Sequence, residues 1–154
     1  MEAEEFDEQE FFRALAEAGV RYLLIGRRAL VALGAPVLTS DYDLWIDFDD
    51  AETLNHVAAR FDLSPTFSAD DARFRGRYVL EGPEHVDVMI ARAKTTVDGV
   101  ELRFADAYAR RIASPPFAPN LPCIDDLILT KRWALRPKDL SDLEFLELLR
   151  GGST

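Results

Sequence analysis

Two segments decide the fold of this chain: YLLIGRRA at residues 22–29 and TSDYDLWI at residues 39–46. The first is an apolar run that ends at Gly26, and the second is an apolar run that opens with Asp41 and Asp43. Because side chains alternate across a strand, these two aspartates project from the same face, roughly 7 Å apart. Two carboxylates this close repel each other unless a cation lies between them. The spacing indicates a metal site, although aspartates at the start of a strand also commonly form hydrogen-bonded turns.

Composition predicts one folded domain with an acidic surface. The chain has 154 residues, 48% of them hydrophobic, and a formal net charge of −10. Such a surface repels the phosphate backbone of nucleic acids, with local exceptions where arginines cluster at residues 73–77 and 110–111. The single cysteine excludes an internal disulfide and a cysteine-rich zinc site. No apolar run approaches the roughly 20 residues that span a bilayer, so we expect a cytoplasmic protein without a membrane segment.

Periodicity and turn residues predict an α/β or α+β fold, a mixed sheet flanked by helices with a C-terminal helical pair. We expect helices at residues 8–18, 27–33, 50–61, 105–113, 124–135 and 139–150. Strands are expected at residues 20–25, 43–48, 78–80, 85–90, 95–97 and 100–104, with 62–73 as a loop that holds at most a short strand. Residues 1–113 then form the α/β core, the proline-rich residues 114–122 a connector, and residues 123–150 helices packed on that core in one compact domain.

A third aspartate lies in another apolar run. Asp87 stands within Val86-Asp87-Val88-Met89-Ile90, where a charge is costly unless it is paired or binds a metal. The alternative is an edge-strand aspartate that faces water. In a strand next to Asp41 and Asp43, Asp87 completes a three-carboxylate cluster. Hard oxygen ligands of this kind suit Mg²⁺, which takes the rest of its shell from water and substrate phosphates.

Several further residues are candidates for binding an anion. Gly26 allows a phosphate to approach the backbone where a strand meets a helix, and Arg27 and Arg28 add cationic donors there, although an ordinary turn and solvated arginines fit the same pattern. Lys131 falls on the buried stripe of its helix, where it either extends past the core or points into a cleft. We expect Asp139 to cap the last helix and Asp142 to pair with a lysine or arginine.

These residues together resemble a known family. The chain is similar to the nucleotidyltransferase superfamily of the polymerase-β-like fold, in particular to the small bacterial group of abortive-infection-type toxins and minimal nucleotidyltransferases. The resemblance covers about residues 20–146. It is carried by Leu24-Ile25-Gly26 with Ala29 and Gly34, Thr39-x-Asp41-x-Asp43-Leu44, Asp87, and Lys131-x-x-Ala134-x-Arg136-x-Lys138-Asp139-x-x-Asp142.

The resemblance implies transfer of a nucleoside monophosphate from an NTP to an acceptor. Asp41, Asp43 and Asp87 would be catalytic and bind two Mg²⁺ ions, while Gly26, Arg27, Arg28, Ser40 and Lys131 would bind the nucleotide. The acceptor is left open among tRNA, a protein and a small molecule.

One departure from the family concerns the turn that binds the nucleotide. The family usually has Gly-Ser or Gly-Gly where this chain has Gly26-Arg27, so Arg27 either reaches the phosphates or blocks the site. Two alternatives therefore stay open. One is a catalytically inactive relative that binds a nucleotide or a partner. The other is a component of a toxin–antitoxin pair whose acidic surface meets an antitoxin-like partner. The oligomeric state is not predicted.

Overall fold

The computed structural model describes residues 6–112 and 119–152, and its centre is a five-stranded mixed sheet. The strands are β1 (Tyr22–Ile25), β2 (Asp41–Ile46), β3 (Ser64–Pro65), β4 (Arg77–Glu81) and β5 (His85–Met89). Their order is β1-β2-β5-β4-β3; β2 and β5 are parallel, and the other neighbouring pairs are antiparallel. β6 (Ala93–Thr95) and β7 (Glu101–Arg103) form a separate hairpin. The α/β class with a mixed sheet is therefore confirmed.

Helices flank the sheet and end the described chain. They are α1 (Glu8–Glu17), α2 (Gly26–Ala32), α3 (Ala51–Ala59), α4 (Ala69–Arg75), α5 (Phe104–Ala109), α6 (Ile124–Lys131) and α7 (Pro137–Gly152). The side chain of Asp7 caps α1 by accepting a hydrogen bond from the N–H of Glu10, as the sequence predicts. The C-terminal helical pair is confirmed as α6 and α7.

Alternation along the central strands divides the apolar residues between two cores. One face of the sheet carries Tyr42 and Leu44 into the larger core, which α1 and α3 cover. The opposite face carries Trp45 into a smaller core with Leu102 and Phe104 from the hairpin and α5. Asp43 lies on the same side as Trp45, because the two are separated by one residue of β2. The smaller core therefore forms the floor beside the candidate site.

Several predicted boundaries were wrong by a few residues. β2 runs over residues 41–46 instead of 43–48, because the ladder with β5 begins where Asp41 pairs with His85. α5 ends at Ala109, and α6 ends at Lys131 where the turn that follows brings Trp133 against the ring of Trp45. α7 begins at Pro137, which fits the first turn of a helix because its missing N–H is not needed there.

The stretch predicted as a loop at residues 62–73 holds a helix that the sequence pattern does not predict. α4 has only seven residues and buries only Ala69 and Ala72, so it shows no apolar periodicity. Its signals are local: Ser68 caps it by accepting from the N–H of Asp71, and Gly76 ends it with φ +83°. This helix leads directly into β4.

Residues 119–121 protect the outer edge of the sheet. The N–H of Leu24 in β1 donates to the carbonyl of Asn120 over 2.8 Å, and the Asn120 side chain donates back to the carbonyl of Tyr22. This contact leads the chain from the β1 edge into α6. Most of the predicted connector, residues 114–118 of 114–122, lies outside the described residues, as does the acidic start at residues 1–5. Within the described ranges, no helix has the length and hydropathy needed to cross a bilayer.

Candidate active site

The register of β2 and β5 brings two predicted site residues together. Asp43 is the direct partner of Asp87 across this parallel pair, and neighbouring strands lie about 4.8 Å apart. Partners in a parallel ladder share a face, so both side chains project from the side of the sheet that carries Trp45. The sequence-based expectation that Asp87 lies in a strand next to Asp43 is thus met by the topology.

Gly26 lets the carboxylate of Asp43 approach the backbone where β1 becomes α2. A Cβ placed on Gly26 would collide with Oδ2 of Asp43, and the backbone there has φ +71°. Both features favour glycine, since other residues rarely adopt such a φ and their side chains would displace the carboxylate. Gly26 therefore fixes the position of Asp43.

The surroundings of Asp43 disfavour its charge. Burial raises the pKa of the carboxyl, the charges of Asp87 and Asp41 raise it further, and the cations Lys131 and Lys138 lower it in part. A bound cation would reverse this balance, because it would stabilise the ionised form. The electrostatics of the site thus match those expected for a cation-binding carboxylate.

Asp87 is engaged by two neighbouring basic groups. Its carboxylate lies 3.6 Å from Nη2 of Arg77 on β4 and 3.3 Å from Nε2 of His85, two residues back on the same strand. The side chain is 30% exposed, so it faces the cleft and not the core. A ligand that used Asp87 would compete with Arg77 for this carboxylate.

Two predicted nucleotide-binding residues, Arg27 and Ser40, lie in a second, shallower cleft with Asp41 and Lys138. This cleft adjoins a first cleft that Gly26 and Asp43 line. Arg27, the residue after Gly26, and Asp41, on the same strand as Asp43, line the second. Arg27 does not line the first cleft; its Nε lies 3.4 Å from Oδ2 of Asp142.

Arg28 is directed elsewhere. Its guanidinium lies over the ring of Tyr42 at 4.2 Å, and Tyr42 belongs to the larger core. The geometry therefore separates Arg28 from the other candidate nucleotide-binding residues.

Lys131 lies at the centre of a buried ionic network. Its Nζ is 2.8 Å from Oδ2 of Asp142 and 3.9 Å from Oδ1 of Asp139, and all three side chains are at most 6% exposed. Asp142 does pair with a lysine and an arginine, as the sequence predicts. Asp139 lies within the first turn of α7 and accepts from the N–H of Arg136, which precedes the helix, so it supports this end without being the first capping residue. Burial would raise the pKa of Asp139, but the hydrogen bonds and charge of Arg136 outweigh burial and lower it.

These groups line a cleft of about 460 Å³, a volume in the range of small-molecule sites. Its carboxylates are Asp43, Asp87 and Asp139, and its cations are Arg75, Arg77, Lys94, Lys131 and Arg136. Sequence reasoning marked the arginine cluster at residues 73–77 but missed Lys94 and Trp133, which contribute from the hairpin and from the turn after α6. Neither carries a local signal, because only the packing of these two elements brings them to the cleft.

The donor set fits Mg²⁺ in part. In residues 6–112 and 119–152, no three His, Cys, Asp or Glu side chains stand close enough to hold a metal ion together, so the predicted three-carboxylate cluster of Asp41, Asp43 and Asp87 does not form. Mg²⁺, however, is commonly bound by one or two carboxylates and completed by water and substrate phosphates. Asp43 and Asp87 provide such a pair, with Asp41 two residues away on the same face of β2.

Comparisons with solved structures identify the fold. The antibiotic-resistance factor ANT(2'')-Ia matches in its solution structure with a TM-score of 0.63 and 14% identity over 94% of this chain and 82% of that chain. ANT(2'')-Ia in complex with adenylyl-2''-tobramycin matches with a TM-score of 0.59 and 15% identity over 93% of this chain and 87% of that chain.

A third match is the Thermotoga maritima protein TM1012, which has been assigned as a nucleotidyltransferase. It matches with a TM-score of 0.54 and 15% identity over 93% of this chain and 88% of that chain. No protein-family model and no curated protein sequence matches the chain. At these identities the likeness establishes the fold, which is that of nucleotidyltransferases.

Proposed function

We propose that the protein is a Mg²⁺-dependent nucleotidyltransferase that moves a nucleoside monophosphate from an NTP to a hydroxyl acceptor. The observation that carries this proposal is the in-register pair Asp43 and Asp87, set in a cleft whose other charged residues are mainly cationic. Carboxylates suit the metal, and Lys131 in this cleft with Arg27 in the adjoining one suits the triphosphate. The nucleotidyltransferase fold agrees with this assignment.

In the proposed reaction, the oxygen of the acceptor hydroxyl forms a bond to the α-phosphorus of the NTP. The bond from that phosphorus to the bridging oxygen breaks, and pyrophosphate leaves with the electron pair. Asp87 takes the proton of the attacking hydroxyl, because its exposed carboxylate faces the cleft. Two Mg²⁺ ions held by Asp41, Asp43 and Asp87 would supply the positive charge that neutralises the attacking and leaving oxygens.

Four of the remaining candidate residues act on the phosphates, and Arg28 is not among them. Gly26 keeps the backbone close to Asp43 without a side chain that would fill the space. Lys131 offsets the negative charge from the α6 side of the cleft. Arg27 and Ser40, in the adjoining cleft, bind the distal phosphates in the role that the family gives to a serine, once Arg27 is released from its 3.4 Å contact with Asp142.

A second candidate function is binding of a nucleotide or a partner without transfer. The contact of Arg77 with Asp87 favours it, since an arginine that stays on this carboxylate keeps it from acting as a base. A role in a toxin–antitoxin pair fits either candidate function, because it depends on which acceptor or partner the protein binds. An amine-rich sugar is a further acceptor to include in tests, because ANT(2'')-Ia has been solved in complex with adenylyl-2''-tobramycin.

The experiment is calorimetric titration of ATP with and without Mg²⁺, on the natural chain and on the double variant Asp41→Asn, Asp43→Asn. We expect a dissociation constant between about 1 μM and 1 mM, the usual range for enzyme substrates, and loss of binding without Mg²⁺ or in the variant. The control double variant Glu144→Gln, Glu147→Gln removes the same charge from exposed positions on α7 and should bind normally.

Two results would contradict the proposal. One is the absence of binding to ATP, CTP, GTP and UTP, and the other is binding that persists in the aspartate variant without metal. Metal-dependent binding combined with no pyrophosphate release in the presence of any acceptor would favour the second candidate function.

A further inference from the structure

We propose that the acceptor is a phosphate-bearing hydroxyl compound, a nucleotide or the end of a nucleic-acid strand, which binds where Arg75 and Lys94 border the cleft. This inference rests on the proposed function and names the acceptor class for the same site. In the transfer, the acceptor hydroxyl oxygen becomes bonded to the α-phosphorus, pyrophosphate departs with the electron pair of the broken bond, and Asp87 receives the hydroxyl proton.

The first observation is the contrast between the cleft and the whole molecule. The chain has a formal net charge of −10, with 28 acidic residues against 18 basic ones. The cleft lining reverses this ratio, with five lysines and arginines against three aspartates. An excess of cations in a cleft of an otherwise acidic molecule focuses the field at the mouth of the cleft and attracts an anion there.

The second observation is which of these cations form ion pairs with carboxylates. Lys131 is buried and paired with Asp142, Arg136 is paired with Asp139, and Arg77 lies 3.6 Å from Asp87. Arg75 and Lys94 differ, because both are exposed and each lies over an aromatic ring. Among the described residues, no carboxylate lies within ion-pair distance of either. Their charges therefore remain available to a ligand at the mouth of the cleft.

The third observation is the aromatic surface beside these two cations. Trp133 lines the cleft under Lys94, whose Nζ lies 5.7 Å from the ring centroid, and the ring is partly exposed. Phe74 is 93% exposed and directly precedes Arg75 on α4, outside the cleft lining. Cations beside aromatic rings bind phosphates and stacked bases together. The small size of this surface and the acidic remainder of the molecule favour a single nucleotide or a strand end over a long duplex.

A polyamine acceptor would be repelled by the cations at this part of the cleft. Each ammonium group of an amine-rich sugar would approach Arg75 and Lys94 with the same sign of charge, and like charges at short range repel. The carboxylates that could attract it, Asp43 and Asp87, are those that the proposed function assigns to Mg²⁺. The cleft therefore selects against a polycation at the acceptor position.

The experiment uses the full chain, after ATP binding with Mg²⁺ has been established, so that failure of the proposed function is seen separately. ATP labelled at its α-phosphate is incubated with AMP, with a short single-stranded oligoribonucleotide that ends in a 3′-hydroxyl, or with tobramycin. We expect label on AMP or on the oligoribonucleotide, and these two arms distinguish a free nucleotide from a strand end. We expect no label on tobramycin.

Charge reversal then tests the position of the acceptor. Arg75→Glu and Lys94→Glu should each raise the KM for the labelled acceptor about tenfold and reduce its salt dependence, while the ATP dissociation constant changes by less than about twofold. Arg75→Gln should give a smaller rise, and Arg60→Glu, an exposed arginine outside both clefts, should give none. Three results would each overturn the inference. The first is transfer to tobramycin, and the second is transfer to a phosphate-bearing acceptor whose KM is unchanged by both charge reversals. The third is ATP binding with no transfer to AMP or RNA.

Discussion

At the scale of single residues, Asp43 lies where folding alone would not place a charge. Its carboxylate is mostly buried, faces Asp87 across a strand pair and lies against the backbone of Gly26. Residues that oppose stability in this way are commonly retained at functional sites, where a bound ligand offsets the cost. The proposed Mg²⁺ site accounts for this position of Asp43, because a cation would offset the cost of its charge.

The first prediction concerns the variant Asp43→Asn in metal-free buffer at neutral pH. It should be more stable than the natural chain by about 0.5–2 kcal/mol, because the neutral amide removes a buried charge that repels Asp87 and Asp41. Urea denaturation measures the difference. The exposed control Asp70→Asn should change stability by less than about 0.5 kcal/mol.

The stability gained by Asp43→Asn should depend on pH, and the raised pKa of Asp43 gives the direction of that dependence. Because the pKa of Asp43 is raised in the folded protein, folding takes up a proton between the ordinary aspartate pKa of 3.8 and the raised pKa. The natural chain therefore loses stability as the pH rises through this window. The advantage of Asp43→Asn should be fully present above the window and vanish as the pH falls to the ordinary value. An equal advantage at all pH values would contradict the electrostatic cause.

Gly26→Ala is the second prediction. The substitution should cost about 1–3 kcal/mol for the positive φ and, in addition, displace Asp43 and abolish Mg²⁺-dependent ATP binding. The matched control is Gly19→Ala, since Gly19 has φ +76° but nothing within 4 Å of an added Cβ. Calorimetry with ATP and Mg²⁺ separates the two, because only Gly26→Ala should lose binding. Equal loss in both variants would mean that general destabilisation, and not the Asp43 position, is responsible.

At the scale of elements, a buried ion-pair network joins α2 to the C-terminal helices. Asp142 on α7 accepts from Lys131 on α6 over 2.8 Å and from Arg27 on α2 over 3.4 Å. A buried lysine that loses its carboxylate is left without charge compensation, which is costly. This network therefore fixes the position of α6 and α7 against the start of α2, where the site is built.

The third prediction is that Asp142→Asn destabilises the protein by about 3–5 kcal/mol, the usual cost of removing one partner of a buried pair. Lys131 would keep only Asp139, at 3.9 Å. The control Glu101→Gln removes a pair that is 56% exposed on both sides and should cost less than about 1 kcal/mol. Denaturant titration compares the two variants, and similar small losses in both would show that the network does not hold the helices together.

The sequence predicted those elements that have apolar periodicity or a strong turn signal, and it missed those that lack periodicity or depend on packing. Strand periodicity found β2 and β5 and hence the pair Asp43 and Asp87, and Asp98-Gly99 marked the β6–β7 hairpin. The short helix α4 was missed because it buries only two alanines. The direction of Arg28 toward Tyr42 could not be predicted, since it depends on which side of α2 faces the larger core. Lys94 and Trp133 join the cleft only through tertiary contacts.

At the scale of the whole molecule, the two faces of the sheet differ in how much of each is covered by a hydrophobic core. The larger core covers one face, while the smaller core around Trp45 occupies only part of the other face and leaves its remaining part to the carboxylates. Helix α6 then adds Lys131 to the cleft, and the turn before α7 adds Arg136. An acidic chain thus presents a cleft in which five lysines and arginines outnumber three aspartates, Asp43 and Asp87 among them.

The most direct test of a nucleotidyl-transfer site is a crystal structure with Mn²⁺ and an ATP analogue that cannot be cleaved between its α- and β-phosphates. Mn²⁺ replaces Mg²⁺ at oxygen ligands and is located by its anomalous scattering. We predict an anomalous peak bound by the carboxylates of Asp43 and Asp87, with the triphosphate completing its coordination. Mn²⁺ and nucleotide bound away from Asp43 and Asp87, or a well-ordered Asp87 still paired with Arg77 and neither ligand in the cleft, would contradict it.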